Sequence, residues 1–407
     1  MTRVGEARAA TLLALSGVLV AAAVLALTLP HVSPAADADE GVYLRYVQEL
    51  DEHGLGALPE LHARFASDRR LSAFPPPTRV GYLFLALAWC TLFGTSFGAL
   101  SALSASCHVA ATATTFLLAR RHLEGWRAAL VTWLVGCSPL WLALGRRALT
   151  DAPALLFTSL AWWSFLSVLR RPASLPAKLA FVATTAMSLS IKELSVLLLV
   201  PLAVMFVWER KRGRSSLALG TLAWLLAVPL VVAGGIGVVA AGGPGRVVEV
   251  ARIVLGSPAD SAFVRAFCGG PWYRHVVDLL LISPPTTLLG LGGVLAVLAR
   301  AVHKKEQSLE AAAAILIVVG LAEFAPLIKN VRYVALLDLP LRLLAFGVLS
   351  ELDDGLGEHW RRPALAAALA VLVAVDLVSF FELFVAGGIY DPTSFNLLAA
   401  RRMIPVR

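Results

Sequence analysis

Long apolar runs separated by short polar connectors dominate this sequence. There are about twelve of them, each close to the ~20 residues a helix needs to cross ~30 Å of hydrocarbon. They fall near 9–29, 79–98, 100–119, 127–144, 152–169, 177–191, 194–208, 216–241, 277–299, 309–327, 331–350 and 364–386. Within hydrocarbon every backbone N–H and C=O must find its partner inside the protein, which restricts such runs to helices. Composition agrees, with 58% hydrophobic and 15% charged residues in 407. The first run follows Arg3 and Arg8 and precedes an Ala-rich stretch that imitates a cleavage site. At roughly twenty residues it exceeds the 7 to 15 of a signal-peptide core, and it is counted as a membrane helix.

The net charge of +8 would suit a nucleic-acid binder if it lay on one soluble face. Instead the cations sit between apolar runs, at Arg120-Arg121, Arg170-Arg171, Arg210 to Arg214, Lys304-Lys305 and Arg361-Arg362. Cytoplasmic connectors carry this excess in membrane proteins. All five clusters share the cytoplasmic side if the run at 79–98 does not cross by itself, giving about eleven spans. The fold expected is an all-α polytopic membrane protein with its N-terminus cytoplasmic and its C-terminus extracytoplasmic. The core is expected over 1–350, including a first outer loop at 30–78 with amphipathic helices, followed by a last helix and short tail at 351–407. The bias toward Ala, Leu and Arg points to the inner membrane of a bacterium. No G-x-x-x-x-G-K-[ST] occurs, and no cytoplasmic connector is long enough for a nucleotide-binding domain. Cys90, Cys107, Cys137 and Cys268 have neither disulfide-framework nor zinc spacing.

This topology sends most of the chemistry-bearing residues outward. Asp39 and Glu40 open an amphipathic segment, where they serve either as helix caps or as a general base or metal ligand at the rim of a cavity. Arg146 and Arg147 violate the positive-inside pattern, and paired guanidinium groups there suit an anionic head group. Asp151, just before Pro153, is a standard helix start. Lys192-Glu193, Glu323, Lys329 and Arg332-Tyr333 interrupt apolar stretches, and ionisable groups at such depth face either a partner or a functional cavity. Arg342 and Asp376 fall at similar mid-membrane depth and are expected to pair within about 8 Å. His108 reads as a hydrogen-bonded interior histidine. Tyr273 and His275, beside Trp272, fit an interfacial belt or a sugar-binding wall.

In order and spacing these features resemble the integral-membrane glycosyltransferases of the C-type fold, the branch of protein O-mannosyltransferases and lipid A aminoarabinose transferases. The matching elements are Asp39-Glu40 with Tyr43, the prolines at 75–77, the R-x-x-x-x-D turn from Arg146 to Asp151, Lys192-Glu193, and Arg332-Tyr333 ahead of Pro340. One departure is evident: Phe74 and Pro75 stand where the family carries a Lys or His before its Pro-Pro pair. The resemblance implies transfer of a sugar from a polyprenyl-phosphate carrier to an extracytoplasmic acceptor, with inversion at the anomeric carbon. It implies catalysis by Asp39 and Glu40, and donor-phosphate binding by Arg146, Lys192, Arg332 and Tyr333. Asp151 and Glu193 would position the loop or hold a metal, and Tyr43, Tyr273 and His275 would line the acceptor. A divalent cation, Mg or Mn, stays open alongside the general-base reading. Membrane lipids are the surrounding partners, and nucleic acid is not one. The rival class is a transporter or flippase of lipid-linked or anionic substrates, which would distribute its polar residues along a path across the bilayer.

Overall fold

The computed structural model describes residues 3–68, 70–260, 262–302, 308–354 and 358–404. All regular structure among them is helical. α1 (Arg3–Thr28) leads into a loop with two short helices, α2 (Asp39–His53) and α3 (Leu58–Ser67), followed by α4 (Val80–Phe93) and α5 (Phe97–Ala119). α6 (Gly125–Gly136) and α7 (Pro139–Gly145) form a pair bent by 60°. The bend lies where Ser138 caps the new helix, accepting from Trp141 N at 3.2 Å, and Pro139 cannot continue the old one. α8 (Asp151–Arg170), α9 (Leu175–Ile191), α10 (Leu199–Lys211) and α11 (Leu219–Ala240) follow, then α12 (Pro244–Asp260) and α13 (Ala262–Phe267). The remainder is α14 (Arg274–Ile282), α15 (Pro284–Val302), α16 (Ser308–Phe324), the four-residue α17 (Val331–Val334), α18 (Asp338–Asp354), α19 (Glu358–Phe380) and α20 (Ser394–Ala400).

Among the described residues seven helices are long and apolar enough to cross a membrane, or eight if the bent pair is one span. The sequence count of about eleven is not reached on this measure because several apolar runs are broken. The run at 194–208 gives its first third to a 3-10 stretch, and α10 has thirteen residues. The run at 277–299 divides at Ser283, which leaves the helical region (φ −140, ψ 75) just before Pro284. α9 and α16 have seventeen residues each.

α4 has fourteen residues, ~21 Å at the helical rise and short of the hydrocarbon thickness. Both its ends meet α2. Arg79, just before α4, donates to the Tyr43 hydroxyl, and Thr95, just after it, donates to Asp51 at 2.9 Å. α4 therefore lies alongside α2.

The cationic connectors gather at the other end of the bundle. Arg121 reaches Ser167, Arg170 reaches the Arg121 carbonyl and His122, and Arg212 reaches the Ala301 carbonyl. Arg362 stacks over Trp126. Lys304-Lys305 lie outside the described residues.

Close helix contact depends on small residues, as in membrane bundles generally. A Cβ on Gly290 or Gly293 of α15 would come within 2.6 or 2.8 Å of Leu341 or Leu344 of α18. Within the same layer Arg342 Nη1 lies 2.5 Å from Asp376, and its Nε lies 2.7 Å from Asp338. Arg342 and Asp376 have fully buried side chains, and the expected pairing holds. His108 is bonded through Nε2 to the Gly136 carbonyl at 3.1 Å, also as expected.

Candidate active site

Four separate parts of the chain bring charged side chains to one point at the end of the bundle opposite the cationic connectors. Asp39 is the first residue of α2, after an extended Ala38. Asp151 is the first residue of α8 and is buried. Lys192 stands at the break after α9, with extended backbone that turns its side chain back toward α8. Arg332 lies in α17, whose N-cap Asn330 accepts the Arg332 backbone N–H through Oδ1 at 3.0 Å.

The Arg332 guanidinium lies between two carboxylates. Its Nη2 and Nε donate to Asp151 Oδ2 at 2.9 and 3.3 Å, and its Nη1 donates to Asp39 Oδ2 at 3.2 Å. Lys192 Nζ donates to the other Asp151 oxygen at 2.5 Å and lies over the Tyr333 ring at 5.4 Å. Asp151 is thus fully committed to two cations, whereas the Asp39 side chain keeps 28% of its surface. Burial lowers the Lys192 ammonium below its ordinary range against the opposing pull of Asp151, and neighbouring Arg332 and Arg79 push the same way as burial.

Arg79, which the sequence reading did not select, completes the cation set. Its Nε lies 3.1 Å from Glu193, to which Thr78 also donates at 3.0 Å, and its Nη1 donates to Tyr43. Partial burial opposes the Glu193 charge, but Arg79 more than offsets this and holds the carboxyl below its usual range. The signal for Arg79 is its place two residues after the proline run. The resemblance places a cation ahead of the prolines instead, where Phe74 stands.

Several expected roles change with the geometry. Glu40 is turned away from the cluster, accepting from Ala35 N and Ala148 N at 2.8 Å each, so it staples the first loop to the 146–151 turn. Arg146 donates to the Phe384 and Thr28 carbonyls at 2.9 Å and stacks on Phe380. Those partners leave it a clamp between helix ends. Lys329 is likewise taken up by the carbonyls that end α16, including Leu327 at 2.6 Å. Tyr43 is buried behind Arg79, edge-on to Tyr82 at 4.8 Å, and presents no wall to a ligand. Tyr273 is half exposed against Trp272, and His275 is buried beside Phe324 at the start of α14. Neither is bonded to the cluster, and the acceptor wall expected of them is not formed.

A small cavity of about 20 Å³ lies beside the charges, lined by Asp151, Lys192, Arg332, Tyr333, Leu155 and Leu336. Leu155, Thr158 and Leu336 also line a second, more apolar cavity of about 10 Å³ against Trp141 and Trp162. A divalent cation does not fit this donor set. Arg332 fills the position between Asp39 and Asp151, and no group of three His, Cys, Asp or Glu residues converges among the described residues.

Residues 77–234 match the family described as dolichyl-phosphate-mannose-protein mannosyltransferase. No curated protein sequence matches the chain. Among solved structures, ArnT from Cupriavidus metallidurans in the apo state aligns with a TM-score of 0.57 at 17% identity, over 91% of this chain and 76% of that one. The same protein bound to undecaprenyl phosphate aligns with a TM-score of 0.52 at 17% identity, over 90% and 75%. The archaeal oligosaccharyltransferase AglB from Archaeoglobus fulgidus, in complex with an inhibitory peptide and a dolichol-phosphate, aligns with a TM-score of 0.58 at 15% identity. That match covers 90% of this chain and 55% of AglB, so the chain spans about half the length of that protein. Helical architecture, apolar spans and these alignments together make the chain an integral membrane protein with the C-type glycosyltransferase fold.

Proposed function

We propose that the protein transfers a sugar from a polyprenyl-phosphate carrier to a hydroxyl of an acceptor at the extracytoplasmic face, with inversion at the anomeric carbon. The observation that supports this best is the convergence of Arg332, Lys192 and Arg79 beside the half-exposed Asp39. The donor phosphate would sit on Arg332 and Lys192, with Arg79 reinforcing the positive field. As the glycosyl C1–O bond breaks, its electron pair goes to the phosphate oxygen, and preorganised cations stabilise the charge that develops there. The acceptor oxygen attacks C1 from the opposite side while Asp39 takes its proton. Arg332 Nη1 is shared with Asp39 at 3.2 Å, and drawing it onto the phosphate would free that carboxylate to act as base. Asp151 would keep both cations in place throughout.

ArnT is solved with undecaprenyl phosphate and AglB with a dolichol-phosphate and a peptide, which supports a lipid-linked donor and an acceptor outside the cytoplasm. The cation distribution supports a cell (inner) membrane protein of a bacterium, with the cationic connectors cytoplasmic. The transporter reading is weaker, because the buried charges Arg342, Asp338 and Asp376 bond one another in a single cluster and trace no path.

The test is to incubate the purified protein in nanodiscs with polyprenyl-phosphate sugars and a membrane extract as acceptor source. Release of free polyprenyl phosphate that depends on Asp39 supports transfer. Movement of intact lipid-linked sugar across a liposome bilayer, without cleavage, would replace it with the transporter.

A further inference from the structure

The segment that follows α19 has no part in the reading above, yet it returns to the charged cluster. The chain turns at Gly388, which has φ +59, and is anchored again where Arg401 donates to the Leu281 carbonyl at 3.0 Å and Ser379 at 2.8 Å. Between these anchors lie Tyr390 and Asp391. The Arg147 guanidinium rests over the Tyr390 ring at 5.0 Å. Asp391 Oδ1 accepts from Asn330 Nδ2 at 2.6 Å, and the Asp391 carbonyl accepts from Asn396 at 2.7 Å.

The Asn330 side chain therefore works at both ends. Its amino group donates to Asp391, and its oxygen caps the turn by accepting the Arg332 N–H. An amide can reverse its two ends, and an acceptor oxygen presented on one side favours the orientation that leaves the Asn330 oxygen free for the cap. We propose that Asp391 is a positioning residue of the transfer reaction, holding Arg332 in its donor-phosphate geometry through Asn330. This rests on the glycosyl-transfer reading of the same site. Since misplacement of a binding group by ~1 Å can cost up to about a hundredfold, a contact one residue removed from Arg332 is worth measuring.

The experiment compares undecaprenyl phosphate binding to the full-length protein in nanodiscs, and KM against kcat for the lipid-linked donor, across variants of this relay. Asp391→Ala is expected to weaken binding about tenfold or more, with the effect in KM rather than kcat. Asp391→Asn keeps an acceptor oxygen and is expected to recover most of the loss. Asn330→Ser keeps a capping oxygen but cannot donate as the amide does, and it should reproduce Asp391→Ala should that variant fold poorly. The double variant Asp391→Ala with Asn330→Ser should be no worse than either single change. Wild-type affinity in Asp391→Ala, failure of Asp391→Asn to recover, or additive losses would each overturn the relay. Wild-type protein that binds the lipid phosphate but transfers no sugar would remove the transfer reading, leaving the binding comparison to judge Asp391. No binding in the wild type would remove both.

Discussion

Arg332 and Asp151 stand 181 positions apart in the chain, yet two nitrogens of one guanidinium converge on a single carboxylate oxygen, at 2.9 and 3.3 Å. The third nitrogen, Nη1, points to Asp39. A lysine cannot reproduce this fork, because an ammonium is a compact point charge on a flexible stem. Arg332→Lys is therefore expected to lower kcat/KM by about 10²- to 10³-fold, the loss typical of removing one donor to a developing anion. Steady-state kinetics with a lipid-linked donor checks this, and a variant within twofold of wild type would remove Arg332 from the site.

Asp39 differs from its neighbours in keeping open surface while touching Arg332. Asp39→Asn preserves shape and a hydrogen-bonding oxygen but cannot take a proton. Transfer is expected to fall by about 10²- to 10⁴-fold, the range for a lost general base. Binding of undecaprenyl phosphate should persist. Unchanged glycan or lipid modification in cells expressing the variant at normal level would count decisively against catalysis by Asp39.

Asp39, Asp151, Lys192 and Arg332 were legible in the sequence because ionisable groups beside apolar runs stand out against a uniform background. The same signal marked Arg146 and Lys329, whose partners are backbone carbonyls. A sequence shows that a cation lies near a membrane helix end, but not that its partners are backbone carbonyls, which every residue carries. Arg79 was missed for the opposite reason, since an arginine in a polar loop is unremarkable until Glu193 and Tyr43 close around it. Arg342 and Asp376 could be paired on depth alone, because two opposite charges in hydrocarbon have few other partners. The span count was harder to read. Hydropathy locates apolar runs but does not register that 194–208 begins as a 3-10 stretch or that Pro284 divides 277–299.

The Arg342 cluster should behave differently from the site. Arg342 is fully buried and bonded to Asp338, Asp376 and the Leu134 carbonyl. Removing one member leaves uncompensated buried charge, which typically costs about 3–5 kcal/mol. Arg342→Met is expected to lower the thermal unfolding temperature in detergent while the folded fraction keeps its donor KM. Adding Asp376→Leu should recover part of the loss. A variant of wild-type stability would show that water reaches this layer.

Glu193 and Arg79 make the stability of this end of the bundle depend on pH. Arg79 holds the Glu193 carboxyl below its ordinary value, so the folded state favours the ionised form more than the unfolded chain does. That contribution is complete above the unfolded carboxylate range, near ~4.3, and is lost as pH falls through the lower folded value. The Glu193 side chain is 44% exposed, which limits the effect to about 1 kcal/mol or less. Unfolding temperature should therefore decline between about pH 5 and pH 3 in the wild type. Glu193→Gln should flatten that part of the decline and leave stability at pH 7 slightly lower. Because Arg79 also donates to Tyr43, the variant should keep Arg79 near Lys192 and leave donor affinity within a fewfold of wild type. An identical acid decline in wild type and Glu193→Gln would show that this ion pair contributes nothing measurable.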